Sequence, residues 1–274
     1  YLVNKYNIEI EEKEQSPEQM QAQSSRESLQ IVNSYAQKFF SNQLLNSDEG
    51  KSIALSYFKE RGYSIETIEK FHLGYNPSKW DSFTSSAIKE GYKEEYLLKA
   101  GLTKGEPSKR FDFFKGRVMF PIHNITGRVI AFGGRILTND KKTAKYFNSP
   151  ETELYNKSKV LYGLYFAKKD IVKLDNCLLV EGYTDVISMH QRGIENVVSS
   201  SGTSLTADQI KLIKRYTPNI TILFDGDVAG IKASFRGIDM ILKEGLNVKV
   251  VLFPDGEDPD SFAKKMSKPE IDDF

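Results

Sequence analysis

Cysteine is nearly absent from this sequence: Cys177 is the only one in 274 residues. No disulfide can form within the chain, and a zinc ribbon, which needs several thiolates, is excluded. A lone cysteine inside a predicted strand reads as a small core residue, and the chain fits a reducing cytoplasm. Histidine is scarce too; His72, His123 and His190 are scattered and none is read as catalytic. The single tryptophan, Trp80, is read with Tyr75 and Tyr92 as core or groove wall rather than as a stacking platform for bases. No apolar run approaches the length that spans a bilayer, so no membrane partner is expected. There is no internal repeat and no long low-complexity tract. The sequence opens on Tyr1 without an initiator methionine and stops at Phe274, and it is read as a fragment cut at both ends.

What is present is ordinary in bulk. Hydrophobic residues make up 39% and charged residues 27%, and the length suffices for two substantial cores or one large one. The formal net charge of +1 conceals an asymmetry. Residues 101–160 carry twelve Lys/Arg against five Asp/Glu, a net of +7, whereas residues 174–262 carry eight against thirteen, a net of −5. A surface for polyanions beside a site for cations would produce this pattern, although two solvated faces would produce it as well.

Residues 11–27 are polar and rich in Glu, Gln and Ser, which reads as a linker. Ile31, Val32, Tyr35, Ala36, Phe39 and Phe40 recur at helical spacing and predict an amphipathic helix over 28–45. Further helices are expected over 50–61, from an N-cap at Ser64 with Ile65, Ile68 and Phe71 on one face, and over 90–100. Residues 118–122 and 128–132 are β-rich and flank a turn, a hairpin signal in which Pro121 argues for an edge strand. From Leu174 four short apolar runs (177–180, 197–199, 220–224, 248–253) alternate with helical segments near 184–192, 206–216 and 229–244. That alternation implies an α/β unit with a mainly parallel sheet covered by helices, following a mixed α+β basic subdomain.

In open parallel sheets, ligands bind outside the carboxyl ends of the strands. Glu181 directly follows the first run, Asp225 directly follows the third with Asp227 two residues later, and Asp258 and Asp260 follow the fourth. Carboxylates gathered at one rim repel one another unless cations lie between them. Oxygen ligands without His or Cys point to Mg²⁺ or Mn²⁺ rather than zinc. Asp185 is either the cap of the helix starting near Thr184 or a further ligand. Asp255 reads as part of a turn and Glu257 as a solvated loop acid. The stretch 200–206 could cradle a phosphate, or it could be a loop ending in Thr206 as an N-cap.

Glu181-Gly-Tyr-Thr-Asp185, Asp225-Gly-Asp227 and Gly256-Glu-Asp-Pro-Asp260 resemble the Toprim domain shared by bacterial primases, topoisomerases and some nucleases. Phe114–Ile122, Phe132-Gly-Gly-Arg135, Lys145–Thr152 and Leu161–Leu164 resemble, in order and spacing, the N-terminal half of the bacterial DnaG-type primase core. The resemblance spans roughly Ile31 to Phe262. It implies a linker from a missing zinc-binding domain over 1–27, a basic subdomain over 28–173, the Toprim domain over 174–262, and the start of a truncated helical part over 263–274. It also implies template-directed synthesis of short RNA primers on single-stranded DNA from NTPs, a helicase partner bound through a missing C-terminal domain, and a monomeric cytoplasmic core. Two or three divalent ions are expected on Glu181, Asp225, Asp227, Asp258 and Asp260, with Asp185 undecided; zinc is expected only in the missing domain. Lys145 and Lys157 are expected at the catalytic centre. Lys115, Arg117, Arg135, Lys145, Asn148 and Lys157 are expected to hold nucleotide or template, whereas Lys141 and Lys142 read as loop charges. The competing expectations are a Toprim nuclease and a non-catalytic nucleic-acid-binding module; no segment resembles the tyrosine domain of a topoisomerase.

Overall fold

A computed structural model describes residues 17–138, 143–200, 204–224, 237–254, 257–266 and 268–273. Helix α1 (Pro17–Asn46) begins eleven residues before the amphipathic stretch that predicted it, so part of the expected linker is helical. Polar Glu, Gln, Ser and Arg residues disfavour burial but not helix, which is why the apolar periodicity alone misplaced its start. A single π-helical segment (Gly50–Leu55) leads into α2 (Ser56–Glu60). Helix α3 (Ile65–Lys70) is capped by Ser64, whose side chain accepts from the Thr67 N–H; Ile68 and Phe71 are buried while Ile65 is exposed. The region expected as one helix over 90–100 holds only α5 (Glu94–Lys99), with α4 (Ser82–Lys89) before it.

An antiparallel sheet follows, built from β1 (Gly74–Asn76), β4 (Arg117–His123), β5 (Val129–Ile136) and β6 (Tyr146–Asn148), in the order β1-β4-β5-β6. Strands β2 (Thr103–Lys104) and β3 (Phe111–Asp112) form a separate ribbon. The expected hairpin is present, with Gly127 at φ +87° in its turn. Pro121 does not lie on an edge strand, because β1 and β5 flank β4. It is tolerated because β1 covers only residues 117–119 of β4. The opposite residue, Phe132, turns its N–H and C=O toward Ser149, so Pro121 faces away from β5, past the end of β1.

Helix α6 (Leu164–Leu174) precedes the second sheet, in which β7 (Cys177–Val180), β8 (Val197–Ser199), β9 (Asn219–Phe224) and β10 (Asn247–Leu252) are all parallel, in the order β10-β9-β7-β8. Helices α7 (Tyr183–Gln191) and α8 (Ala207–Lys214), the helical residues 237–243, α9 (Pro259–Lys265) and α10 (Lys268–Asp273) complete the order. Cys177 is fully buried, as a small core residue should be. Helix α6 packs into the core of the parallel sheet, where Leu164, Ala167 and Ile171 meet Leu179, Ile210 and Ile222. The largest core joins the two sheets: Val118, Phe120 and Ile122 share it with Val180, Val186 and Val197. No described helix is long and apolar enough to cross a membrane.

Candidate active site

The registers place the carboxyl ends of three parallel strands level with one another. Leu179 pairs with Ile222 and Phe224 with Leu252, so the residue after β7 stands beside the end of β9, and β10 ends alongside. Glu181 stands exposed at this rim. Asp225 and Asp227 continue β9 in sequence and lie outside the described residues, as do Asp255, Lys141 and Lys142. Asp185 accepts the Gly182 N–H at 2.8 Å, which is the capping role expected as one of its two alternatives. Asp258 caps α9 through one oxygen, 2.6 Å from the Ser261 N–H.

Asp260 is buried and engaged on both oxygens. One accepts from Ser188; the other accepts from Arg61 Nη1 at 2.8 Å and Lys264 Nζ at 2.6 Å. A carboxylate already neutralised by two cations has little left to offer a third, so its surroundings suit an anchor rather than the ligand expected from sequence. Glu257 pairs with Lys265 and Ser261, which hold its carboxyl below the usual range. Among the described residues no three His, Cys, Asp or Glu side chains converge on a cation position. The exposed rim acid is an oxygen donor, and no described His or Cys joins it, so the donor chemistry that is visible fits a hard divalent ion.

Opposite the rim stands the basic sheet. Arg135, near the end of β5, is half-buried with its guanidinium 4.3 Å from the centre of the Tyr57 ring and 5.6 Å from that of Tyr146. Its Nε and Nη1 are buried without a hydrogen-bond partner, and so is the Tyr57 hydroxyl. Burial raises the pKa of Tyr146, on which the charges of Arg135, Arg61, Asp185 and Asp260 also act, so acids and bases from β5, from the end of α2 and from the helices α7 and α9 meet around this phenol. Asn148 accepts a hydrogen bond from the hydroxyl of Tyr183, which crosses from the rim. The Tyr183 ring stacks on Phe120 and lies so close to Gly133 that a Cβ there would come within 2.5 Å of it.

Lys145 is exposed, one residue before Tyr146. The backbone of Lys157 is held by Gln209, and its N–H donates to Glu151. Lys115 lies elsewhere, with Nζ 4.4 Å from the centre of the Trp80 ring. Trp80 is 53% exposed, which removes the core alternative of its reading and leaves the groove wall. Arg117, expected to grip nucleotide or template, turns inward instead. It is 3% exposed, lies 3.8 Å from the Phe147 ring centre, and donates to the carbonyls of Gly134, Ala144 and Lys145. Burial pulls its pKa down to about 10, and it braces the strand rather than offering a free fork. His72 and His123 form a ring-nitrogen contact at 3.2 Å, and His190 is buried.

Sequence reading passed over Tyr57, Arg61 and Tyr183. Tyr183 lies inside a motif already singled out, whereas Tyr57 and Arg61 carried no signal beyond their i, i+4 spacing at the end of a helix.

A parallel sheet with an acid at its carboxyl rim, set against a basic antiparallel sheet, defines a Toprim-type protein, and residues 178–263 match the Toprim-like family model. Residues 39–168 match the model described as DNA primase catalytic core, N-terminal domain. The DNA primase of Clostridium acetobutylicum is 40% identical over 270 residues, which are 98% of this chain and 44% of that protein. The RNA polymerase domain of Mycobacterium tuberculosis primase DnaG superposes with a TM-score of 0.84 at 36% identity, covering 90% of this chain and 82% of that one. A DnaG primase catalytic domain bound to ssDNA gives a TM-score of 0.82 at 38% identity, over 91% and 78% of the two chains. The chain belongs to the DnaG-type DNA primase catalytic-core family, and it spans less than half the length of the Clostridium relative.

Proposed function

We propose that this chain polymerises short RNA primers on a single-stranded DNA template from NTPs, by nucleotidyl transfer that depends on divalent cations. The observation that carries the proposal is the meeting of two unlike surfaces. Level strand ends lead into the acids, and the Tyr146 phenol is acted on by both Asp185 beside that rim and Arg135, whose Nε and Nη1 have no partner among the described residues. Two or three Mg²⁺ or Mn²⁺ ions would be held by Glu181, Asp225 and Asp227, with Asp258 and Asp185 beside them; Asp260 serves as an anchor. Bound there, such ions supply the Lewis acidity that favours the 3′-alkoxide and the leaving pyrophosphate. Arg135 binds phosphate oxygens with the donors that the protein leaves unpaired, and Lys145 and Lys157 add point charges. Asn148, fixed by Tyr183, orients the nucleotide. Lys115 beside Trp80 holds the template strand farther out.

Template binding is supported by the relative solved with ssDNA. Zinc in a separate domain, a helicase partner through another, a monomeric core and a cytoplasmic location belong to the same proposal. Primer synthesis on single-stranded DNA with NTPs and Mn²⁺ tests it. The Asp225→Ala variant is expected to lose synthesis while still binding the template, and unchanged synthesis would refute the site.

A further inference from the structure

We infer that Tyr57 is a positioning residue for nucleotide binding, presenting its ring face to Arg135 and holding that guanidinium where phosphate meets it. The inference rests on the reading of Arg135 as a phosphate-binding residue. Arg135 would be costly to leave as the structure shows it: a charged, half-buried side chain with Nε and Nη1 shielded from water and bonded to nothing. Neither of these two nitrogens has a hydrogen bond among the described residues that could fix the side chain's direction. What does fix it is aromatic, since the guanidinium carbon lies 4.3 Å from the Tyr57 ring centre and 5.6 Å from that of Tyr146. A ring quadrupole attracts a cation without consuming any of its N–H donors. Tyr57 can therefore orient Arg135 and leave the donors available for an incoming anion, which a carboxylate in the same place could not do.

The platform is itself braced. Tyr57 sits on α2, and Arg61, four residues on, approaches the same ring at 5.5 Å. Two cations sharing one ring repel each other. Arg61 is held by its 2.8 Å ion pair with Asp260, which offsets its charge and fixes it to α9. Among the described residues Arg135 makes no such ion pair, which leaves its charge for a ligand. A chain of contacts thus runs from Asp260 through Arg61 and Tyr57 to Arg135, joining the helix after the acidic rim to the basic strand.

The test measures ATP affinity in the presence of Mn²⁺ by isothermal titration of the 274-residue chain, with the thermal midpoint followed for each variant. Tyr57→Phe keeps the ring and is expected to bind ATP within about twofold of the unaltered chain. Tyr57→Leu removes the ring and is expected to weaken binding about tenfold, the range of a desolvated cation–π contact. In the Arg135→Ala background, Tyr57→Leu is expected to add nothing, because the ring then has no guanidinium to hold. Equal affinity of Tyr57→Leu and the unaltered chain would overturn the inference. So would a Tyr57→Phe defect as large as that of Leu, or additive losses in the double variant, since a general structural defect gives additivity. If Arg135→Ala alone binds ATP normally, the phosphate reading of Arg135 falls and takes this inference with it.

Discussion

Arg117 and Arg135 look alike in the sequence: each lies in a β-rich run beside a glycine, within a basic stretch. Their fates diverge because the register sets Arg117 opposite Ile136 and Arg135 opposite Val118, while only Arg117 finds carbonyls to bond. Periodicity can assign a residue to a strand but not say whether an acceptor waits where its side chain arrives. Arg117→Ala is therefore expected to cost stability, about 2 kcal/mol or more from stranded carbonyls and the lost contact with Phe147, measured as a lower urea midpoint. Arg135→Ala is expected to shift that midpoint by less than about 1 kcal/mol, because its Nε and Nη1 satisfy no described acceptor, and to weaken ATP binding instead. A matching stability loss in both variants would contradict this division. Glu181 was legible for the opposite reason: an acid directly after a buried strand is specified by chain position alone. Asp260 lies in the helix that follows the last strand, and its pairing with Arg61, 199 residues away, had no local trace in the sequence.

At the scale of elements, the strands of the parallel sheet were legible to within a residue or two, because each is a short apolar run with a sharp end. Helix α1 was less so, since its first turns are polar on all sides and only its later face is buried. Helix α4 has a start that no local rule could find. Its N-terminal N–H groups, those of Phe83 and Thr84, are accepted by Asp112, about thirty residues later on β3. The N-terminus of α8 does further work. Thr206 and Gln209 form a capping box, as one of the two readings of that loop required, and the same two side chains bond the carbonyls of Ser158, Lys157 and Val160. Gln209 is fully buried, and its carboxamide links helix and loop. Gln209→Ala is expected to lower stability by about 1–3 kcal/mol, the cost of leaving buried carbonyls unpaired, and to raise hydrogen-exchange rates across 157–160 ahead of the rest of the chain. Uniform exchange changes would argue against a local clamp.

For the whole molecule, burial of histidine predicts a pH response. His123 and His190 are each pushed down to about 3, chiefly by burial, so the folded chain keeps both neutral where the unfolded chain takes up protons below about 6.5. Their contribution is in place above that value and is lost progressively as the pH falls toward 3. The urea midpoint is expected to be lower at pH 5 than at pH 7.5, and replacing His190 by Leu should flatten the difference. An unchanged pH dependence in that variant would remove His190 as a source.

The close seat of Tyr183 against Gly133 and Phe120 bears on how such a chain can be rearranged over evolutionary time. The segment matching the Toprim-like model reads in sequence as a cassette, able to be cut out and joined to other partners. In this molecule its inner surface is completed by residues of the other sheet, and a single added methyl at position 133 would already collide with it. A cut between residues 168 and 178 would strand apolar surface on both pieces, so exchange of the cassette would require its neighbour's face to be redesigned with it. The seam therefore restricts portability, and the two family segments of this chain are expected to be inherited as a pair.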